Sequence, residues 1–141
     1  MTVKIFHNEA CGTSRNVLAL IRHLGIEPTI IDYLTAPPTI EQLRTMIADA
    51  GLSVRDALRS KEPIASTLGL DDASIGDEDL LRAMVDNPIL INRPFVITEK
   101  GTCLARPSER ALQILPDQAT GPFFKEDGEM ILGLDGTRPT E

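Results

Sequence analysis

The chain has 141 residues, enough for one domain with its own core. Hydrophobic residues make up 42% and charged residues 25%, an ordinary globular balance. A net charge of −7, no Trp and a single Tyr argue against a nucleic-acid partner, which would call for basic patches and aromatic stacking platforms. Val3-Lys4-Ile5-Phe6 alternates and reads as a strand. Thr13 to Leu24 reads as a helix with Val17, Leu20, Ile21 and Leu24 on one face, closed by Gly25. Thr29 to Tyr33 reads as a second strand, so the opening segment is a βαβ unit with a parallel pair.

Ala36-Pro37-Pro38 then breaks the chain. Thr39 starts a helix with Gln42 in capping-box position and Ile40, Leu43, Ile47 and Ala50 facing inward. A short helix from Ser53 to Ser60 is expected with Ser53 as N-cap, then a partly helical stretch from Glu62 to Leu70. Asp77 is expected to cap a helix whose buried stripe is Leu80, Leu81, Met84 and Val85, stopped by Pro88. Ile89-Leu90-Ile91 is an apolar connector. Pro94 to Thr98 and Thr102 to Ala105 read as a hairpin around Lys100-Gly101. Ser108 to Leu115 reads as a last helix begun at Pro107, and the chain beyond Pro116 as an irregular tail with Phe123 and Phe124 docked. The order predicts an α/β protein: a thioredoxin-like, mixed four-stranded sheet flanked by helices, with a helical insertion between strands 2 and 3. Residues 1–141 are expected to form one domain, with the insertion at about 39–87 and the tail at about 117–141.

Chemistry concentrates at Cys11, in the run His7-Asn8-Glu9-Ala10-Cys11-Gly12-Thr13-Ser14-Arg15. A thiol at the junction of a strand and a helix N-terminus faces backbone N–H groups and the positive end of the helix dipole, which favour the thiolate. Gly12 lets backbone approach closely, Thr13 and Ser14 offer hydroxyl donors, and Asn8 and His7 stand just upstream. His7 as a cation would stabilise a thiolate. The bland alternative is a packed, inert thiol. Ser14 makes the motif C-x-x-S, so a resolving thiol must come from elsewhere. Arg15 follows Cys11 too closely for the phosphatase loop C-x-x-x-x-x-R. Arg supplies 10 of the 14 cationic residues. Arg93 and Arg106 each precede a proline at a strand end, where extended backbone could aim both at one anion, and Arg59 could add a third guanidinium; the alternative is three surface ion pairs. Pro94 is the candidate for a cis-proline opposite Cys11. Arg15, Arg22 and Arg44 read as mostly solvated charges, and Cys103 as a buried structural thiol. The N-terminus shows no signal-peptide stretch and no apolar run reaches membrane-spanning length, so a cytoplasmic protein without a membrane partner is expected.

His7-Asn8-x-x-Cys11-Gly12-Thr13-Ser14-Arg15, Glu27-Pro28, Ile89 to Pro94, Arg106-Pro107-Ser108-Glu109 and Lys125 to Glu129 together resemble the glutaredoxin-coupled arsenate reductases. The resemblance implies the thioredoxin-like fold and a reaction in which Cys11 attacks arsenate, glutathione attacks the thiol-bound arsenic and glutaredoxin reduces the product to release arsenite. It implies Arg59, Arg93 and Arg106 as the oxyanion-binding trio, with His7 and Ser14 favouring the thiolate. It implies no metal and no bound cofactor, with glutathione as co-substrate. Two other readings remain: a related thiol-dependent reductase of another substrate, and a redox-responsive regulator binding RNA polymerase. The second is weakened because such switches use C-x-x-C.

Overall fold

The structure, a computed structural model, describes residues 2–116 and 121–132. It comprises two compact units: Met1–Ile31 with Arg93–Glu141, and Asp32–Asn92. Among the described residues no helix is long and apolar enough to cross a membrane.

The first unit carries β1 (Lys4–His7), α1 (Gly12–His23) and β2 (Thr29–Asp32), then β3 (Phe95–Thr98) and β4 (Gly101–Leu104), in a mixed sheet of order β2-β1-β3-β4. β1 and β4 both run antiparallel to β3, with Ile5 opposite Val96 and Val96 opposite Cys103. The apolar stripe of α1 (Val17, Leu20, Ile21 and Leu24) is buried with Ile5, Val96 and Ala105. α1 ends because Gly25 takes a φ of 81°, which lets its N–H reach Arg22 O (3.0 Å) and the Ile26 N–H reach Ile21 O (3.3 Å). A 3-10 helix over Ser108–Gln113 covers the same core through Ala111.

Two expectations are corrected in this unit. Ser108 to Gln113 is 3-10 rather than a helix running to Leu115: Arg110 N bonds to Pro107 O at 3.0 Å, a three-residue reach. The tail is not wholly irregular, since β5 (Phe123–Phe124) and β6 (Met130–Leu132) pair antiparallel, turning through Gly128 at φ 91°. Ile131 and Leu132 join the core, Phe123 packs against it with its ring 5.3 Å from His23, and Phe124 stays exposed. The remaining tail positions, 117–120 and 133–141, lie outside the described residues.

The second unit holds α2 (Ile40–Asp49), α3 (Val54–Ala57), α4 (Pro63–Thr67) and α5 (Asp77–Asp86), then a 3-10 turn over Pro88–Leu90. Reciprocal caps start two of them. Thr39 Oγ1 accepts from Gln42 N (3.1 Å) while Thr39 N donates to Gln42 Oε1 (3.0 Å), and Ser53 and Asp56 repeat the arrangement at α3. α3 ends at Ala57, short of Ser60, because Leu58 turns extended and bridges Ile91. Gly76, not Asp77, is the N-cap of α5; Asp77 stands in its acidic first turn. α2 buries Met46 with Leu43 and Ile47, whereas Ile40 and Ala50, like Val85 in α5, are only half-buried because they flank the stripe. Leu80, Leu81 and Met84 are buried as expected.

Candidate active site

Cys11 is the N-cap of α1, with extended backbone (φ −96°, ψ 121°) and no side-chain oxygen capping the helix. The first-turn N–H groups therefore open beside the sulfur. The loop from β1 to Cys11 is stapled by its own polar atoms. Asn8 Oδ1 accepts from Ala10 N (2.9 Å), and Cys11 N donates to Asn8 O (3.0 Å). Asn8 is 2% exposed, so this staple is shielded from water.

Ser14 is fully buried in the first turn and uses its two ends differently. Its backbone N–H acts on the Cys11 sulfur and helps to lower the thiol's pKa. Its hydroxyl accepts from Asn8 N at 3.0 Å and lies 2.7 Å from His7 Nδ1. The sequence suggests a hydroxyl facing the thiolate; the structure turns it toward the end of β1. His7, 6% exposed, holds Glu9 Oε2 at 2.6 Å with Nε2, so both its ring nitrogens are engaged away from the sulfur. Thr13 is half-buried. A Cβ at Gly12 would meet Arg15 Nη2 at 3.6 Å and Glu126 Oε1 at 3.8 Å, ordinary contact distances, so the chain's own packing does not demand glycine there.

Arg93 and Arg106 arrive from β3 and β4. Phe95 opposes Leu104, and two steps out along the same register Arg93 and Arg106 come together. Ala105 N donates to Pro94 O at 2.9 Å, and Arg106 Nη1 donates to Arg93 O at 2.9 Å. The same Nη1 stands 3.6 Å from Cys11 Sγ, and the Arg93 side chain also lowers the thiol's pKa. The Arg93–Pro94 peptide bond is cis, and so is Arg106–Pro107, which the sequence does not announce.

These contacts set the thiol's charge. Burial alone would push the Cys11 thiol up; the Ser14 N–H, Arg93 and Arg106 outweigh burial and hold it below the usual thiol range. Cys103 shows the contrast. It is buried with its sulfur 3.6 Å from Arg110 O, and burial pushes its thiol up, only partly opposed by the Arg110 charge. The surroundings thus favour the thiolate at Cys11 and the neutral thiol at Cys103.

The sequence reads Arg15 as a solvated charge, but the structure makes it part of the loop. Its Nη1 donates to Glu9 O (2.8 Å), and its fork grips Glu126 through Nε (2.8 Å) and Nη2 (3.1 Å). Glu126 N donates to Asn16 Oδ1 at 2.9 Å, and Lys125 Nζ bridges Glu109 (3.2 Å) and Glu129 (2.9 Å). The turn between β5 and β6 is thereby fastened to the start of α1. Arg22 and Arg44 are surface ion-pair partners, of Glu27 and of Glu41 and Glu78 respectively. Arg59 belongs to the second unit, where its N–H donates to Leu90 O (2.7 Å) and its Nε lies 3.6 Å from Glu62 Oε1.

The model of the ArsC family matches residues 6–114, which span the Cys11 loop, the helical segment and both strand-end arginines. The chain belongs to the ArsC family. An arsenate reductase of Rhizobium meliloti is 59% identical over 138 residues, covering 98% of this chain and 99% of that protein. An arsenate reductase of Escherichia coli K12 is 52% identical over 136 residues, covering 96% of each. Among solved structures, an arsenate reductase from Vibrio cholerae superposes with a TM-score of 0.78 at 40% identity, covering 82% of this chain and 98% of that one. Membership of the ArsC family accords with the thioredoxin-like sheet.

Proposed function

We propose that this ArsC-family chain reduces arsenate to arsenite with glutathione and glutaredoxin as the electron source. The observation that carries the reading is the Cys11 sulfur held by the Ser14 N–H, Arg93 and Arg106 together. The Cys11 thiolate attacks As(V), an As–S bond forms and an oxygen leaves as water. Glutathione then attacks the thiol-bound arsenic, and a second oxygen leaves as water. The glutaredoxin thiol attacks the glutathione sulfur, so the glutathione and glutaredoxin thiols become one mixed disulfide as the As–S electron pair reduces As(V) to As(III); water then cleaves the Cys11–As bond, freeing arsenite and the Cys11 thiol.

Arg93 and Arg106, with Arg59 as the third guanidinium, bind the oxyanion and offset the charge that builds on its oxygens. Gly12 and Thr13 present first-turn N–H groups to the same anion, Asn8 fixes the loop, and Pro94 shapes the approach of Arg93. His7 acts through Ser14. No thiol stands at position 14, so the reductant is external, and the reaction suits a reducing cytoplasm. The test is arsenate-dependent NADPH consumption in the presence of glutathione, glutaredoxin and glutathione reductase. Wild type turns over and Cys11→Ser does not; an inactive wild type or a fully active Cys11→Ser refutes the proposal.

A further inference from the structure

Glu9 lies outside the anion-binding set, and its carboxylate is 81% exposed. Yet it sits 2.6 Å from Nε2 of a histidine that is almost wholly buried, and that histidine sits 2.7 Å from a fully buried serine hydroxyl. A carboxylate only accepts, so Nε2 facing Glu9 carries the proton. In the neutral ring Nδ1 is then bare and accepts from the Ser14 O–H. The Ser14 oxygen is left free to accept from Asn8 N, which it does at 3.0 Å. Each donor along the line meets one acceptor.

The other tautomer breaks the line twice. Nε2 without its proton would face a carboxylate oxygen, lone pair against lone pair. Nδ1–H would become a second donor to Ser14 Oγ, leaving the Ser14 hydroxyl proton without a partner in a buried site, which is costly. We propose that Glu9 is a positioning residue for the Cys11 nucleophile, fixing the tautomer of His7 so that the Ser14 hydroxyl is locked inward and the first turn of α1 is held in place beside the sulfur. The inference rests on Cys11 being the reactive group. An exposed carboxylate contributes little to global stability. Here it decides between two ring forms that are close in energy in water, and a modest bias is enough for that.

The test uses the full-length chain with no arsenate or glutathione present. One readout is the 15N signature of the two His7 ring nitrogens in alkaline buffer, the His23 ring being assigned with His23→Gln. The other is the rate of Cys11 alkylation by iodoacetamide against pH, with Cys11 and Cys103 separated by peptide mass mapping. Ser14 N–H, Arg93, Arg106 and, more distantly, Arg15 all face the sulfur and are unchanged in every variant. Wild type shows the Nε2–H form. Glu9→Ala mixes the tautomers and slows Cys11 alkylation at neutral pH about fivefold, the size of one ordinary hydrogen bond. Glu9→Gln, whose amide can either accept from Nε2–H or donate to a bare Nε2, selects neither ring form and behaves like Glu9→Ala. A wild-type Nδ1–H ring, an unaltered Glu9→Ala variant, or a Glu9→Gln variant that keeps the pure Nε2–H form overturns the inference. A wild-type Cys11 no more reactive than free cysteine would instead overturn the reading of the nucleophile itself.

Discussion

Arg106→Ala removes the guanidinium nitrogen that stands 3.6 Å from Cys11 Sγ. At that separation two unit charges interact by roughly 1.2 kcal/mol in water and roughly 4.6 kcal/mol at an effective dielectric of about 20. Cys11 is half-buried, so the interaction falls between those limits, and solvent draws it toward the lower one. A hydrogen bond to a charged group contributes about 1.5–3 kcal/mol, which brackets the same value. Taking about 2 kcal/mol, the proton equilibrium of the thiol shifts toward the protonated form by roughly thirtyfold, at about 1.4 kcal/mol for each factor of ten, and its titration midpoint rises. Once that midpoint lies above the assay pH, every tenfold weakening of the acid removes about nine-tenths of the remaining thiolate. The midpoint is read from thiolate absorbance against pH, taking the difference between Arg106→Ala and the Arg106→Ala/Cys11→Ser double variant so that Cys103 cancels. kcat/KM for arsenate should fall further than the thiolate fraction alone requires, because the same fork is proposed to hold the oxyanion. Arg106→Lys keeps a point charge without the planar fork, so it should recover part of the midpoint and little of kcat/KM. A midpoint in Arg106→Ala equal to that of wild type would refute the argument that Arg106 stabilises the thiolate.

Cys11 also makes stability depend on pH, and the direction is fixed. Its native thiol is held low, so the native state binds fewer protons than the unfolded state between the native midpoint and the ordinary thiol range. The unfolding free energy of wild type minus that of Cys11→Ser should therefore rise with pH across that window and then level off; urea titrations showing a flat or falling difference would contradict this. Arg59→Ala should lower kcat/KM for arsenate by roughly a hundredfold, the scale of losing one oxyanion donor, while circular dichroism stays native. Near-wild-type turnover would remove Arg59 from the site. Thr39→Ala should cost about 1 kcal/mol by urea unfolding, since it deletes one half of a reciprocal cap; no change would mean that water caps α2 equally well.

What can be read from the sequence is what local pattern decides. The α1 stripe, its Gly25 stop and both capping boxes lie within a few residues of their partners, and all are present. The 3-10 segment passes for an α-helix because six residues are too few to separate a three-residue period from one of 3.6. The β5–β6 hairpin is invisible because strands of two and three residues are shorter than any alternation pattern. The Asp77 error is one residue at a helix start, where any short polar residue or glycine can stand.

The site divides along the same line. Cys11 is legible because a strand end and a helix start flank it directly, and Arg93 with Arg106 because a hairpin turning near Gly101 places equal offsets opposite one another. The Arg15–Glu126 clasp joins residues 111 apart, and nothing near either position announces it. The direction of the Ser14 hydroxyl is also beyond local pattern, because it depends on where a buried imidazole points. That direction explains why serine suits position 14. An oxygen there can accept strongly from Asn8 N while bonding His7, and a thiol is too weak a donor and acceptor to hold both. A cysteine at position 14 would bring a second thiol to the motif and loosen the loop that lowers the pKa of the first. A single thiol in the motif and a Cys11 loop closed by its own hydrogen bonds therefore go with the same hydroxyl.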